Sequence, residues 1–217
     1  MLLARKRLVT LLISAFLLTG AAFADSTVSM AFIGPGGNNG GGVYTYPYNF
    51  SINGGASTSL ICDAFDNEVV PGQTWTANMS SLLSGNGLWG SQLTNYKEAG
   101  LIFQGILSGN INATTGNWAI WGLFSSNAAS NSFFTSSGAA AIDAQYLTAA
   151  LTDPDSAFNG MVLYTPVSWS GNGEPQEYIG YNPNYSAPEP GSLLLCGMAF
   201  ATIAAGLFGK FRRPLAN

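Results

Sequence analysis

Two uncharged apolar runs, each with a basic cluster on its outer side, bracket this chain and leave about one domain's length between them to fold. The first run, residues 8–18, follows Arg5-Lys6-Arg7 and leads to the small residues of Ala22-Phe23-Ala24. That order is the pattern of a secretory signal peptide over residues 1–24, with cleavage expected before Asp25. A membrane-spanning helix needs roughly 20 apolar residues, and the run falls short of that. The second run, residues 192–208, has no charge and matches a span with little or no tilt. Its side chains, among them Leu193, Leu195, Phe200 and Leu207, go round every side of a helix, as lipid requires. Lys210, Arg212 and Arg213 follow it. Basic residues after a span stay cytoplasmic, so the body of the chain is expected outside, at residues 25–185.

Within that body the charge is lopsided. Lys97 is its only basic residue, against ten acidic ones: Asp25, Asp63, Asp66, Glu68, Glu98, Asp143, Asp153, Asp155, Glu174 and Glu177. One cation against ten anions leaves a net charge near −9 and argues against nucleic acid as a partner. The chain has no histidine, which removes Ser-His-Asp triads and imidazole-ligated metals from consideration. No cofactor is expected.

Hydropathy shows both periods. Tyr44, Tyr46, Tyr48, Phe50 and Ile52 alternate with polar residues and predict one strand, with Pro47 pointing to a sheet edge. Residues 34–42, mostly Gly and Asn, read as a flexible loop before it, and residues 59–62 as a short strand. Helical spacing starts near Tyr96 with Ala99, Ile102, Phe103 and Ile106. It resumes with Trp118, Ile120, Trp121 and Phe124 after a turn at residues 114–117, and again over 139–151. Strands are expected once more at 161–167 and 176–181. Strands, then helices, then strands predict an α+β domain, an antiparallel sheet or sandwich with an inserted helical section, plus one C-terminal transmembrane helix.

The C-terminal punctuation resembles a known family. Pro188-Glu189-Pro190, the apolar run and Lys210-Phe211-Arg212-Arg213 are similar, in order and spacing, to the PEP-CTERM sorting signal of Gram-negative bacteria, here residues 186–213. The resemblance implies export by the Sec machinery, transient residence in the inner membrane, and recognition by an exosortase that cuts near the tripeptide. The cell surface or extracellular matrix is then the destination, and exopolysaccharide or other matrix the expected partner. Two prolines stiffen an extended backbone that an enzyme can bind without unwinding a helix.

Cys62 is the one thiol of the body, since Cys196 lies in the second apolar run. A buried cysteine packed as a small hydrophobe accounts for it. Leu60-Ile61-Cys62-Asp63, the segment from Tyr96 to Leu101 and Asn117-Trp118-Ala119-Ile120-Trp121 also resemble the thioester domains of bacterial surface adhesins, over residues 59–124. In that family the cysteine joins the glutamine of a Thr-Gln-x-Ala motif in an electrophilic thioester. Aligned on Ala119, this chain has Asn117, one methylene shorter, which makes Cys62 and Asn117 a candidate relic of such a bond.

Asp63, Asp66 and Glu68 are weak calcium candidates, because their spacing departs from the calcium-loop signature and fits a solvated acidic turn. The five tryptophans read as core rather than as a sugar platform. The whole points to a non-enzymatic structural or adhesive envelope protein. A carbohydrate hydrolase using two of the carboxylates, or a calcium-dependent glycan-binding module, is the alternative.

Overall fold

The computed structural model describes residues 26–171, 173–183 and 185; both apolar runs, their basic clusters and the Pro-Glu-Pro tripeptide lie outside the described residues. The strands are β1 (Ser26–Pro35), β2 (Asn39–Gly40), β3 (Val43–Tyr44), β4 (Tyr48–Ile52), β5 (Ser57–Cys62), β6 (Thr74–Ser81), β7 (Met161–Trp169) and β8 (Tyr178–Tyr181). Between β6 and β7 come α1 (Leu93–Leu107), α2 (Ala113–Phe124), α3 (Ser126–Ser130), α4 (Ser132–Ser136), α5 (Ala139–Thr152) and a 3-10 turn at Asp155–Phe158. The domain is α+β, an antiparallel sheet with an inserted helical section.

The sheet closes on itself rather than splitting into a sandwich. Its order is β1-β4-β5-β8-β7-β6, closed, and every pairing is antiparallel. Closure depends on β1, which pairs with β4 on one side and β6 on the other and so removes the last free edges. Alternate residues Val28, Met30 and Phe32 of β1, Tyr48 and Phe50 of β4, and Trp75 and Ala77 of β6 fill the interior. Phe50 meets Tyr178 at 4.6 Å between ring centroids and Trp75 at 5.5 Å, both edge-on. A barrel of six strands has room for side chains alone, and these rings occupy it.

β7 reads as a continuous apolar run because residues 161–166 are buried on both faces, inside by the barrel and outside by helices. α1 can lie this close because of Gly100. A Cβ there would sit 2.7 Å from Leu82 and 3.1 Å from the Met161 sulfur.

Four sequence expectations are corrected. The strand expected from Tyr44 to Ile52 is divided: β3 forms a small hairpin with β2, and β4 begins after Pro47. β4 is not an edge, being paired with β1 and β5, and Pro47 precedes it, where its missing N–H costs no ladder bond. Residues 114–117 form no turn; they lie within the first turns of α2. Asn112 caps that helix, its side chain accepting from the backbone of Thr114 at 3.0 Å and Thr115 at 3.2 Å. Asn112→Ala is therefore expected to lower unfolding free energy by about 1 kcal/mol in a urea titration. β8 starts two residues later than the expected strand at 176, leaving Gln176 and Glu177 outside the ladder. Among the described residues no helix is long and apolar enough to cross a membrane.

Candidate functional site

The end of β5 carries the site. Leu60, Ile61 and Cys62 are all fully buried, and the chain then turns with Asp63, also buried, facing inward. Cys62 donates its thiol proton to the Ala64 carbonyl at 3.6 Å. Burial pushes the thiol pKa far up, and the neighbouring Asp63 adds to it. A thiol held neutral is a poor nucleophile.

The structure brings Cys62 and Asn117 together, though not through the sulfur. Asn117 Nδ2 donates to the Cys62 main-chain carbonyl at 2.9 Å, while Asn117 Oδ1 accepts from the backbone N–H of Tyr46 at 2.7 Å. Both ends of the carboxamide are thus spent on backbone groups. The same face of α2 pins the glycine-rich hairpin: Trp118 Nε1 donates to the Gly40 carbonyl at 3.1 Å, and Thr114 and Thr45 hydroxyls lie 3.1 Å apart. Gly41 lies in the left-handed region at φ +64°, and a Cβ there would stand 2.7 Å from the Trp118 ring. The stretch expected to be flexible is held on the helix.

Behind Cys62 lies a buried carboxyl pair that sequence reasoning did not single out. Glu177 accepts from Tyr96 Oη at 2.7 Å, from the Leu88 N–H at 2.9 Å, and from the Thr165 hydroxyl. Asp63 lies beside Glu177, its backbone N–H donating to the Glu177 main-chain carbonyl at 3.4 Å, yet neither Asp63 carboxyl oxygen meets a donor. Desolvation first, and the Glu177 charge second, raise the Asp63 carboxyl well above the usual range. A second pair of acids lies between two helices without a hydrogen bond joining them. Burial pushes Glu98 on α1 up to about 7, and burial with the Glu98 charge pushes Asp143 on α5 up to about 7.

The calcium candidates do not converge. Asp63 turns into the core, Glu68 is exposed, and Asp66 is held by Ser125 Oγ and Asn127 Nδ2, each at 2.7 Å. Nor is the segment a wholly solvated acidic turn, because its first carboxylate is buried. Among the described residues no group of three or more Cys, Asp or Glu side chains is placed to hold a metal.

Trp75, Trp118 and Trp121 are core; Trp89 is half-buried and Trp169 is 40 % exposed. Lys97 pairs with Asp155 at 2.6 Å and also reaches the Asp153 carbonyl. That ion pair borders a shallow groove shared with Leu93 and Leu151, which has no residue in common with the Cys62 cluster. Pro188, Glu189, Pro190, Lys210, Arg212 and Arg213 lie outside the described residues. Comparison with known proteins finds no matching family model, no matching curated protein and no matching solved structure.

Proposed function

We propose that the chain is an exported, non-enzymatic envelope protein, delivered by an N-terminal signal peptide and sorted by an exosortase through its C-terminal signal to the cell surface or extracellular matrix. One observation carries the reading beyond the sequence. β8 completes the barrel between β5 and β7 at Tyr181, ahead of Pro188. The domain's ladder needs nothing from the tripeptide or the apolar run, which supports reading them as an appended, removable signal. The burial of Asp63 and Glu177 favours a structural or adhesive role over glycoside hydrolysis, which requires two carboxyl groups flanking a bound sugar.

Glu189→Ala, or joint replacement of Pro188 and Pro190, is expected to leave a larger, membrane-retained form in cells that possess an exosortase. Immunoblots of membrane and released fractions read this directly. Unchanged processing in those cells removes the sorting assignment.

For the body itself we read Cys62 and Asn117 as the relic of a thioester site. The Asn117 hydrogen bond to the Cys62 carbonyl supports this, since it puts the carboxamide of α2 beside the cysteine that would have received it.

A further inference from the structure

Ten acidic residues and one lysine leave the buried carboxyls of this domain without cationic partners, and Asp63 is the extreme case. Its ionisable neighbours come from every side. Cys62 adjoins it on β5, Glu177 faces it from the approach to β8, Tyr178 from β8, and Tyr96 from α1. Each of these is an acid or a neutral hydroxyl. Lys97, the lone base of the domain, is engaged with Asp155.

Three donors converge on the Glu177 oxygens and none reaches Asp63, so the hydrogen bond open to Asp63 is one in which it donates. A carboxyl buried without a donor stays protonated rather than carrying an unpaired charge in the core. Glu177 therefore holds together five pieces of chain: the end of β5 through the Asp63 backbone N–H, the 82–92 segment through Leu88, α1 through Tyr96, β7 through Thr165, and β8 through its own position.

We propose that Asp63 and Glu177 form a proton-operated latch that fastens the barrel to its helical cover over Cys62, closed while the Asp63 carboxyl donates its proton to Glu177 and released when Asp63 loses that proton. The proton leaves to water and no other bond changes. Two facing carboxylates then remain with no cation to separate them, and the seam relaxes by admitting water. Cys62, one residue away, becomes reachable.

The sign follows from linkage. An acid whose carboxyl is raised in the fold withdraws stability as pH climbs from its ordinary value toward its folded one. Glu98 and Asp143 act in the same direction up to about 7. The domain is thus most stable on the acid side and loosens as pH rises.

The test uses the full chain in a non-ionic detergent with Cys196→Ser, so that Cys62 is the only thiol. Urea unfolding, read by tryptophan fluorescence, and the rate of Cys62 reaction with a dipyridyl disulfide are followed from about pH 5 to about pH 9. Past about pH 7, where Glu98 and Asp143 have titrated, one coupled proton changes the unfolding constant about tenfold per pH unit. Asp63→Asn keeps an N–H donor to Glu177 at every pH. It is expected to remove that tenfold dependence and to leave Cys62 reactivity rising only with thiolate formation. Wild type is expected to rise more steeply in both measurements.

Equal pH dependence in wild type and Asp63→Asn overturns the latch. Should the variant not fold, the wild-type infrared spectrum at about pH 8 decides. A protonated-carboxyl band persisting after Glu98 and Asp143 have ionised supports the latch, and its absence overturns it. Calcium is expected to leave both pH curves unchanged, because three donors and the Asp63 proton together fill the Glu177 oxygens. Protection by calcium would make the pair a cation site and also overturn the proposal.

Discussion

Glu177→Ala is expected to lose about 3–5 kcal/mol of unfolding free energy, a large part of the roughly 5–15 kcal/mol that a domain of this kind possesses. Glu177 is fully buried, and its removal strands the Tyr96 hydroxyl, the Thr165 hydroxyl and the Leu88 N–H together. Each orphaned donor costs about 1–3 kcal/mol, less what water entering the gap restores. Urea midpoints at mildly acidic pH, where the latch is shut, read the loss. Thr165→Val removes one donor and leaves the others satisfied, so it is expected to cost only about 1 kcal/mol. A Glu177→Ala loss no larger than that of Thr165→Val would mean that the three donors have other partners.

Asn117 carries the second large effect. Asn117→Ala leaves the Tyr46 N–H and the Cys62 carbonyl unpaired in the interior, an expected loss of about 2–4 kcal/mol. Its chemical counterpart separates a relic from a working bond. The wild-type chain is expected to keep its full mass, to take up no methylamine, and, at mildly acidic pH where the latch is shut, to react at Cys62 only slowly until denatured.

Asn117→Gln supplies the methylene by which this chain departs from the thioester-domain motif, and is expected to carry the carboxamide carbon past the Cys62 carbonyl to the sulfur. There the sulfur attacks, the thiol proton passes to the carboxamide nitrogen, the C–N bond breaks, and ammonia leaves. The glutamine variant is therefore expected to weigh one ammonia less and to add methylamine. Wild type already lacking that mass would show Asn117 to be competent as it stands, and the relic reading would be wrong.

The longer helices were legible from helical spacing, Ala99, Ile102, Phe103 and Ile106 marking α1 and Trp118, Ile120 and Trp121 marking α2, whereas the short α3 and α4 went unread. The ends of elements were not. Asn112 begins α2 through a side-chain cap, a signal that the Thr-Thr-Gly-Asn string after it obscured. β1 passed unread although Val28, Met30 and Phe32 alternate cleanly, and without it the sheet lacks the strand that turns two edges into a barrel.

Reading Cys62 as a small buried hydrophobe placed it in the core, as found, but carried no hint of the carboxyl behind it. Glu177 sits beside Asp63 only because β8 pairs with β5 across the whole helical section. A glutamate preceding Tyr178, Ile179 and Gly180 looks like any polar residue leading into a strand. Its one sequence-level signal is the charge imbalance itself, since carboxylates so short of lysine and arginine have few partners except each other.

The position of β8 also sets when the domain can become itself. Ile179 pairs with Ile61 on one side and Leu163 on the other, so the last strand of the domain fills the gap between a strand from its first third and one from its end. Contacts between such distant parts of a chain form slowly, because the entropy of closing the intervening loop is lost before they repay it. Residues 26–177 can collapse, but their sheet keeps two open edges until residues 178–181 arrive. Under the export proposed above, that delay serves a chain threading a narrow translocon unfolded: the barrel cannot jam the channel early, because the strand that locks it is among the last parts of the domain to cross.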